Sequence, residues 1–103
     1  MAITSTQLTG SAAPFYTSSG ASAVTAVYFC NTDTSNTAIV TVHALSSGDT
    51  VSDVNMIYNE ISLTAGDTYV IDTEKIIFDS GDTLQAFKTG NANVSATVSY
   101  VGI

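Results

Sequence analysis

The tripeptide Gly-Asp-Thr occurs three times in 103 residues, at Gly48–Thr50, Gly66–Thr68 and Gly81–Thr83. Each copy follows a small residue and runs into apolar or β-branched ones, as in Ala65-Gly66-Asp67-Thr68-Tyr69-Val70-Ile71. Gly reaches φ > 0 without steric cost, and Asp bonds back to the backbone across a turn. Turn chemistry joined directly to strand chemistry cuts the chain into short strands. The copies lie 18 and 15 residues apart, which is too irregular for a solenoid repeat.

The residues between the turns agree. The chain has 13 Ser and 16 Thr but only two Glu, two Gln, two Lys and no Arg. Thr and Val suit a pleated, half-buried surface better than a helix, and no segment carries a period of 3.6. Alternation predicts strands over residues 2–8, 22–31, 37–45, 56–63, 68–72, 76–78, 83–88 and 93–103. On the second of these, strict alternation sets Val24, Ala26, Tyr28 and Cys30 against Thr25, Val27, Phe29 and Asn31. Residues 22–31 and 37–45, joined by the turn or short loop Asn31-Thr32-Asp33-Thr34-Ser35-Asn36, read as a hairpin. About eight strands at spacings near ten residues indicate one all-β domain, a single antiparallel β-sandwich. Long polar connections suit chain crossing between sheets, so the arrangement expected is jelly-roll-like, with an up-and-down β-barrel as the alternative. Residues 1–20 form an amino-terminal arm or first strand, and residues 21–103 the sandwich.

The formal charge is −7, with nine acidic residues against Lys75 and Lys88. Phosphate binding needs clustered Lys and Arg, so nucleic acid is excluded as a partner, and an anionic membrane surface with it. No stretch approaches the length of a membrane helix, and Met1-Ala2-Ile3-Thr4 does not start like a signal peptide. The single Cys30 has no intramolecular partner and reads as a small buried hydrophobe in a strand. Folding in a reducing cytoplasm fits these features.

Candidate chemistry is thin. Repeated Gly-Asp suggests calcium, but neither EF-hand spacing nor a Gly-Gly-x-Gly-x-Asp repeat occurs, so the motif reads as turns and no metal or cofactor is expected. Asp72, Glu74, Asp79 and Asp82 form the densest acidic stretch. A glycosidase pair needs a cleft with aromatic platforms, and the chain has no Trp. These acids read as solvated loop groups. His43, alone beside Thr41 and Leu45, reads as a packed or surface residue and not as a ligand. Asn93-Val94-Ser95 matches a glycosylation sequon, which has no meaning without a secretory route. No catalytic constellation is present, and the expectation is a non-enzyme.

Five Tyr and four Phe supply nearly all the bulk, so most must be core. Pro14-Phe15-Tyr16, between two small-residue stretches, is either an interface anchor or a core plug at a sheet end. With Ile3 and Leu8 of the first strand, these three make the candidate interface: Ile3, Leu8, Pro14, Phe15 and Tyr16. Strands nearly free of Lys leave edges open to pairing, a liability in a monomer and an asset in an assembly. One form of that assembly is strand addition by the first eight residues to a neighbouring subunit.

The run Ile61-Ser62-Leu63-Thr64-Ala65-Gly66-Asp67-Thr68-Tyr69-Val70-Ile71-Asp72 leads to Ile76 or Ile77, then Ser80-Gly81-Asp82-Thr83-Leu84-Gln85-Ala86, and the chain ends Ser99-Tyr100-Val101-Gly102-Ile103. With the upstream Tyr28-Phe29-Cys30-Asn31, this resembles small structural proteins of tailed bacteriophages, especially marine and cyanobacterial ones. The likeness covers roughly residues 22–103 and consists of strands and Gly-Asp joints, so no functional residue transfers by position. The resemblance implies a virion component made in the host cytoplasm: a capsid decoration, neck or tail protein. A virion role entails contacts with other virion proteins, and the poorly protected strand edges lead to the expectation of a symmetric homo-oligomer, trimeric or hexameric. The alternative is a host-surface or carbohydrate-binding module of a phage fibre.

Overall fold

The computed structural model describes residues 2–72 and 75–103. Among these residues the strands are β1 (Ala2–Gln7), β2 (Ala13–Thr17), β3 (Ser22–Asn31), β4 (Ala38–Leu45), β5 (Met56–Leu63), β6 (Thr68–Ile71), β7 (Ile76–Phe78), β8 (Thr83–Thr89) and β9 (Val94–Gly102). A 3₁₀ turn, Asp53–Asn55, precedes β5. All pairings are antiparallel. One sheet, here sheet A, runs β1-β9-β3-β6, and sheet B runs β2-β8-β4-β5. β7 lies on the same edge of β3 as β6: Val27–Cys30 of β3 face β6, and Ser22–Val24 face β7.

Taken as one interrupted strand, β6 and β7 reduce the count to eight strands in two four-stranded sheets. The pairs β4·β5, β3·β6/β7, β2·β8 and β1·β9 then form one long two-stranded ribbon folded over on itself. That is a jelly roll. Only the step from β4 to β5 stays within one sheet, and every other connection crosses the sandwich. The expected hairpin of residues 22–31 with 37–45 is therefore corrected: β3 belongs to sheet A and β4 to sheet B. Asn31 explains the crossing. Its buried Nδ2 donates to the carbonyls of Asn36 (2.9 Å) and Leu63 (3.0 Å), and its Oδ1 accepts from the Asp33 N–H (3.0 Å). These bonds draw the chain away from β3 and over to sheet B.

The three Gly-Asp-Thr copies do make turns. In each, the Asp N–H bonds to the carbonyl three residues back, Ser46, Thr64 or Asp79. The glycine at the third turn position has φ of 80–89°, the conformation a type II turn requires there.

Inward-facing Val24, Val27, Phe29, Val94 and Val98 of sheet A meet Ala38, Val40, Val42, Leu84 and Ala86 of sheet B. Phe29 is fully buried and meets Phe15 edge-to-face at 5.6 Å. Burying side chains of this size contributes about 2 kcal/mol each. Two irregularities decide which residues face the core. A bulge at Thr25–Ala26 sets two residues of β3 opposite Ser99. It puts Val24 on the inner face with Val27 and Phe29 and leaves Ala26, Tyr28 and Cys30 outside, correcting the strict alternation expected for this strand. A register shift in β2 after Pro14 lets both Phe15 and Tyr16 turn inward. Pro14 is tolerated because β2 is an edge strand.

Candidate interaction surface

The first twenty residues supply two edge strands, one in each sheet. β1 pairs with β9 from Ala2 opposite Tyr100 to Gln7 opposite Ser95, and β2 pairs with β8. Where the two edges face each other, Thr4, Pro14, Phe15, Tyr16, Thr17 and Tyr100 line an open groove of about 260 Å³. Four of the five candidate interface residues border this side of the molecule in different ways. Leu8, Phe15 and Tyr16 are buried in the core, where Tyr16 packs on Tyr100 at 4.8 Å and on Phe78 at 5.8 Å. Pro14 is exposed on β2. The fifth, Ile3, is 71% exposed and points outward from sheet A. Ring packing and the bond from Tyr16 to the Ser22 hydroxyl (2.6 Å) hold the aromatic pair inward.

A larger feature appears when charge is placed on the strands. Asp33 is the first charged residue in the chain and Lys88 the last. Strands β1, β3, β6, β7 and β9 contain no Asp, Glu, Lys, Arg or His. These five strands are the whole of sheet A. Its outer face presents Ile3 and Ser5 from β1, Ser95, Thr97, Ser99 and Val101 from β9, Tyr28 and Cys30 from β3, Val70 from β6 and Ile77 from β7. Ile77 is 62% exposed, and Tyr28 and Val70 about 40%. Cys30 is half-buried here, between Ser95 and Thr68, so it is less enclosed than its sequence position suggested.

The acids lie elsewhere. Asp33 and Asp67 sit in the loops at one end of the sandwich, and Asp49, Asp53, Asp79 and Asp82 in loops at the other. Asp72 follows β6, Glu60 is on β5, and Glu74 lies outside the described residues. Lys75, between β6 and β7, donates its ammonium to the carbonyls of Thr25 and Asp72. Several acids have structural work. Asp82 accepts from the N–H groups of Ser47 and Asp79, both at 2.9 Å, and ties two Gly-Asp-Thr turns together. Asp33 accepts from the N–H groups of Asn36 (2.8 Å) and Ser35 (3.4 Å). The Asn36 bond first, then the Ser35 bond, hold its carboxyl below the ordinary value.

His43 faces away from the core on β4 yet is 2% exposed. Its ring stacks with Phe87 at 6.3 Å, and its Nδ1 has no hydrogen-bond partner among the described residues. Among the described residues, no three His, Cys, Asp or Glu side chains converge as a metal site would require. No helix among them is long and apolar enough to cross a membrane.

The outer face of sheet A was missed as a site by reading residues one at a time. Its signal was present as two long uncharged segments, residues 1–32 and 89–103. Their adjacency depends on β9 lying between β1 and β3. No family model, curated protein or solved structure matches the chain.

Proposed function

We infer that the chain is a non-enzymatic structural component of a tailed-bacteriophage particle, a capsid decoration protein or a part of the neck or tail. It works through protein–protein contacts with other virion proteins and with copies of itself, as a trimer or hexamer, after synthesis in the host cytoplasm. The observation that carries this reading is a jelly roll in which the five strands of one sheet carry no charged residue, on a chain of net charge −7. Jelly rolls build viral capsid and lectin domains. A fold does not by itself specify function, so the reading also draws on the phage-like strands and Gly-Asp joints of residues 22–103. Loop acids keep the free chain soluble, while the uncharged face is suited to burial in an assembly.

The test is protein mass spectrometry of gradient-purified particles from a tailed phage that carries the gene. Recovery of the chain at a fixed stoichiometry to the major capsid or tail protein supports the reading. Particles lacking it while the infected lysate contains it would overturn the reading.

A further inference from the structure

We propose that the outer face of sheet A is a self-association surface, and that two copies pack these faces together about a two-fold axis. The inference rests on the homo-oligomer reading above and narrows it to even-numbered assemblies.

Charge selects the occupant. Two copies of charge −7 repel, and their described acids lie at both ends of the sandwich, on β5 (Glu60) and, for Asp72, at the β6/β7 edge of sheet A, where Lys75 sits beside it. The outer face of sheet A is a broad surface on which two copies can meet without bringing carboxylates together. A basic partner would be drawn to the acidic ends, and nucleic acid or an anionic membrane would need cations that this face lacks. What remains is an equally uncharged sheet, and a second copy of the chain carries one. In an isologous contact each strand residue meets the same patch on its mate, so one uncharged face satisfies both sides.

The dimensions suffice. Four strand lanes about 4.8 Å apart and about eight residues long, at about 3.3 Å per residue, give about 500 Å² of face. Two copies would then bury on the order of 1,000 Å², the lower bound for a specific interface. Small Ser, Thr and Ala side chains allow sheets to approach at about 10 Å. Exposed Ile3, Tyr28, Val70 and Ile77 supply apolar anchors across the patch.

Sedimentation velocity of the full chain from about 1 μM to about 1 mM is the experiment, on the native protein, Tyr28→Asp and Thr89→Asp. Thr89, exposed at the end of β8 in sheet B, controls for added charge. Circular dichroism checks that each variant folds. Association of the native chain into dimers or dimer-built hexamers is expected. Tyr28→Asp should weaken it at least about 100-fold, because each copy then buries an unpaired carboxylate, and Thr89→Asp should not. A second readout needs no substitution: alkylation of Cys30, on the same face, should slow as native protein concentration rises. Association that Tyr28→Asp leaves intact, or a trimer, would overturn the face pairing while leaving the homo-oligomer reading in place. A strict monomer with concentration-independent Cys30 alkylation would overturn both.

Discussion

Asn31 should be the least replaceable polar residue in the molecule. It is fully buried at the end of β3. Its side chain makes three bonds, to Asn36 O, Leu63 O and Asp33 N, and so ties the end of β3 to the β3–β4 loop and to the end of β5. Its backbone adds two more, donating to Asp67 O and accepting from Gly66 N. Asn31→Ala keeps the backbone pair and removes the other three. A buried group left unpaired costs about 1–3 kcal/mol. The bond to Leu63 O is buried, while the other two are partly buried, where water can replace a lost partner. The expected loss is therefore about 3 kcal/mol rather than the sum of three full penalties. A domain of this size is stable by about 5–10 kcal/mol, so that loss is a large share. In urea, with a slope of about 1.2 kcal/mol/M, the midpoint should fall by about 2.5 M with the slope unchanged.

Asn31→Asp sharpens the test. A carboxylate still accepts from Asp33 N but faces the Asn36 and Leu63 carbonyls with no donor. It should destabilise more than Ala at neutral pH and recover in part once protonated, when its hydroxyl can donate again. Ser5→Ala is the comparison, since the Ser5–Thr97 hydroxyl bond (3.0 Å) is exposed and its loss should cost under about 0.5 kcal/mol. If Asn31→Ala shifted stability by no more than Ser5→Ala, the role given to Asn31 in crossing the chain between sheets would be refuted.

Gly48 and Gly81 occupy equivalent turns with φ of 87° and 89°, but a Cβ at Gly81 would sit 2.7 Å from Ser47 Oγ while one at Gly48 meets nothing within 4 Å. Gly48→Ala should cost about 1 kcal/mol from backbone strain alone, and Gly81→Ala measurably more, read as Tm shifts by calorimetry. Glu60 is held at φ 58° where β5 shifts register against β4, so Glu60→Gly should stabilise by about 1 kcal/mol in the same assay. Because the carboxyl of Asp33 is depressed on folding, the folded chain binds fewer protons there than the unfolded one. Its stabilisation is complete above the ordinary carboxylate value and disappears as pH falls through the folded one. The difference in urea midpoint between native protein and Asp33→Ala should therefore be present at pH 6 and shrink towards pH 2. His43→Leu removes a buried nitrogen that has no partner among the described residues and should raise Tm, a gain of about 1 kcal/mol.

The strand set was legible because it rests on local chemistry. Turn glycines with Asp and Thr beside them, and runs of Val, Ile, Thr and Tyr, state their preference within a few residues. The sandwich and its jelly-roll character followed from strand number and connection length. What stayed hidden depended on contacts distant in sequence. β2 was not recognised, because five residues containing Pro14 do not alternate: a register shift lets Phe15 and Tyr16 point the same way. The same kind of event on β3 moved Val24 to the core face. Asn31 looked like the first residue of a hairpin loop, and only its bonds to Leu63 and Asn36 show that the loop leaves one sheet for the other.

The uncharged face belongs to that second class and shows why strand order matters for function here. Residues 1–32 and 89–103 are separately unremarkable Ser/Thr-rich stretches. In an up-and-down barrel their strands would be spread around the wall and interleaved with neighbours such as β5 and β8, which carry Glu60 and Lys88. Jelly-roll winding instead seats the last strand between the first and the third, and so gathers the neutral strands in one sheet. The charged strand residues go to the other sheet, and the remaining described charges to the connections. That partition lets one small chain be strongly acidic and still own a broad surface that repels nothing. It also exposes the design to a simple challenge. A single carboxylate at Tyr28 changes net charge by one unit in seven but ends the neutrality of the face entirely. If charge partition is what the winding provides, its effect on association must far exceed that of the same substitution at Thr89.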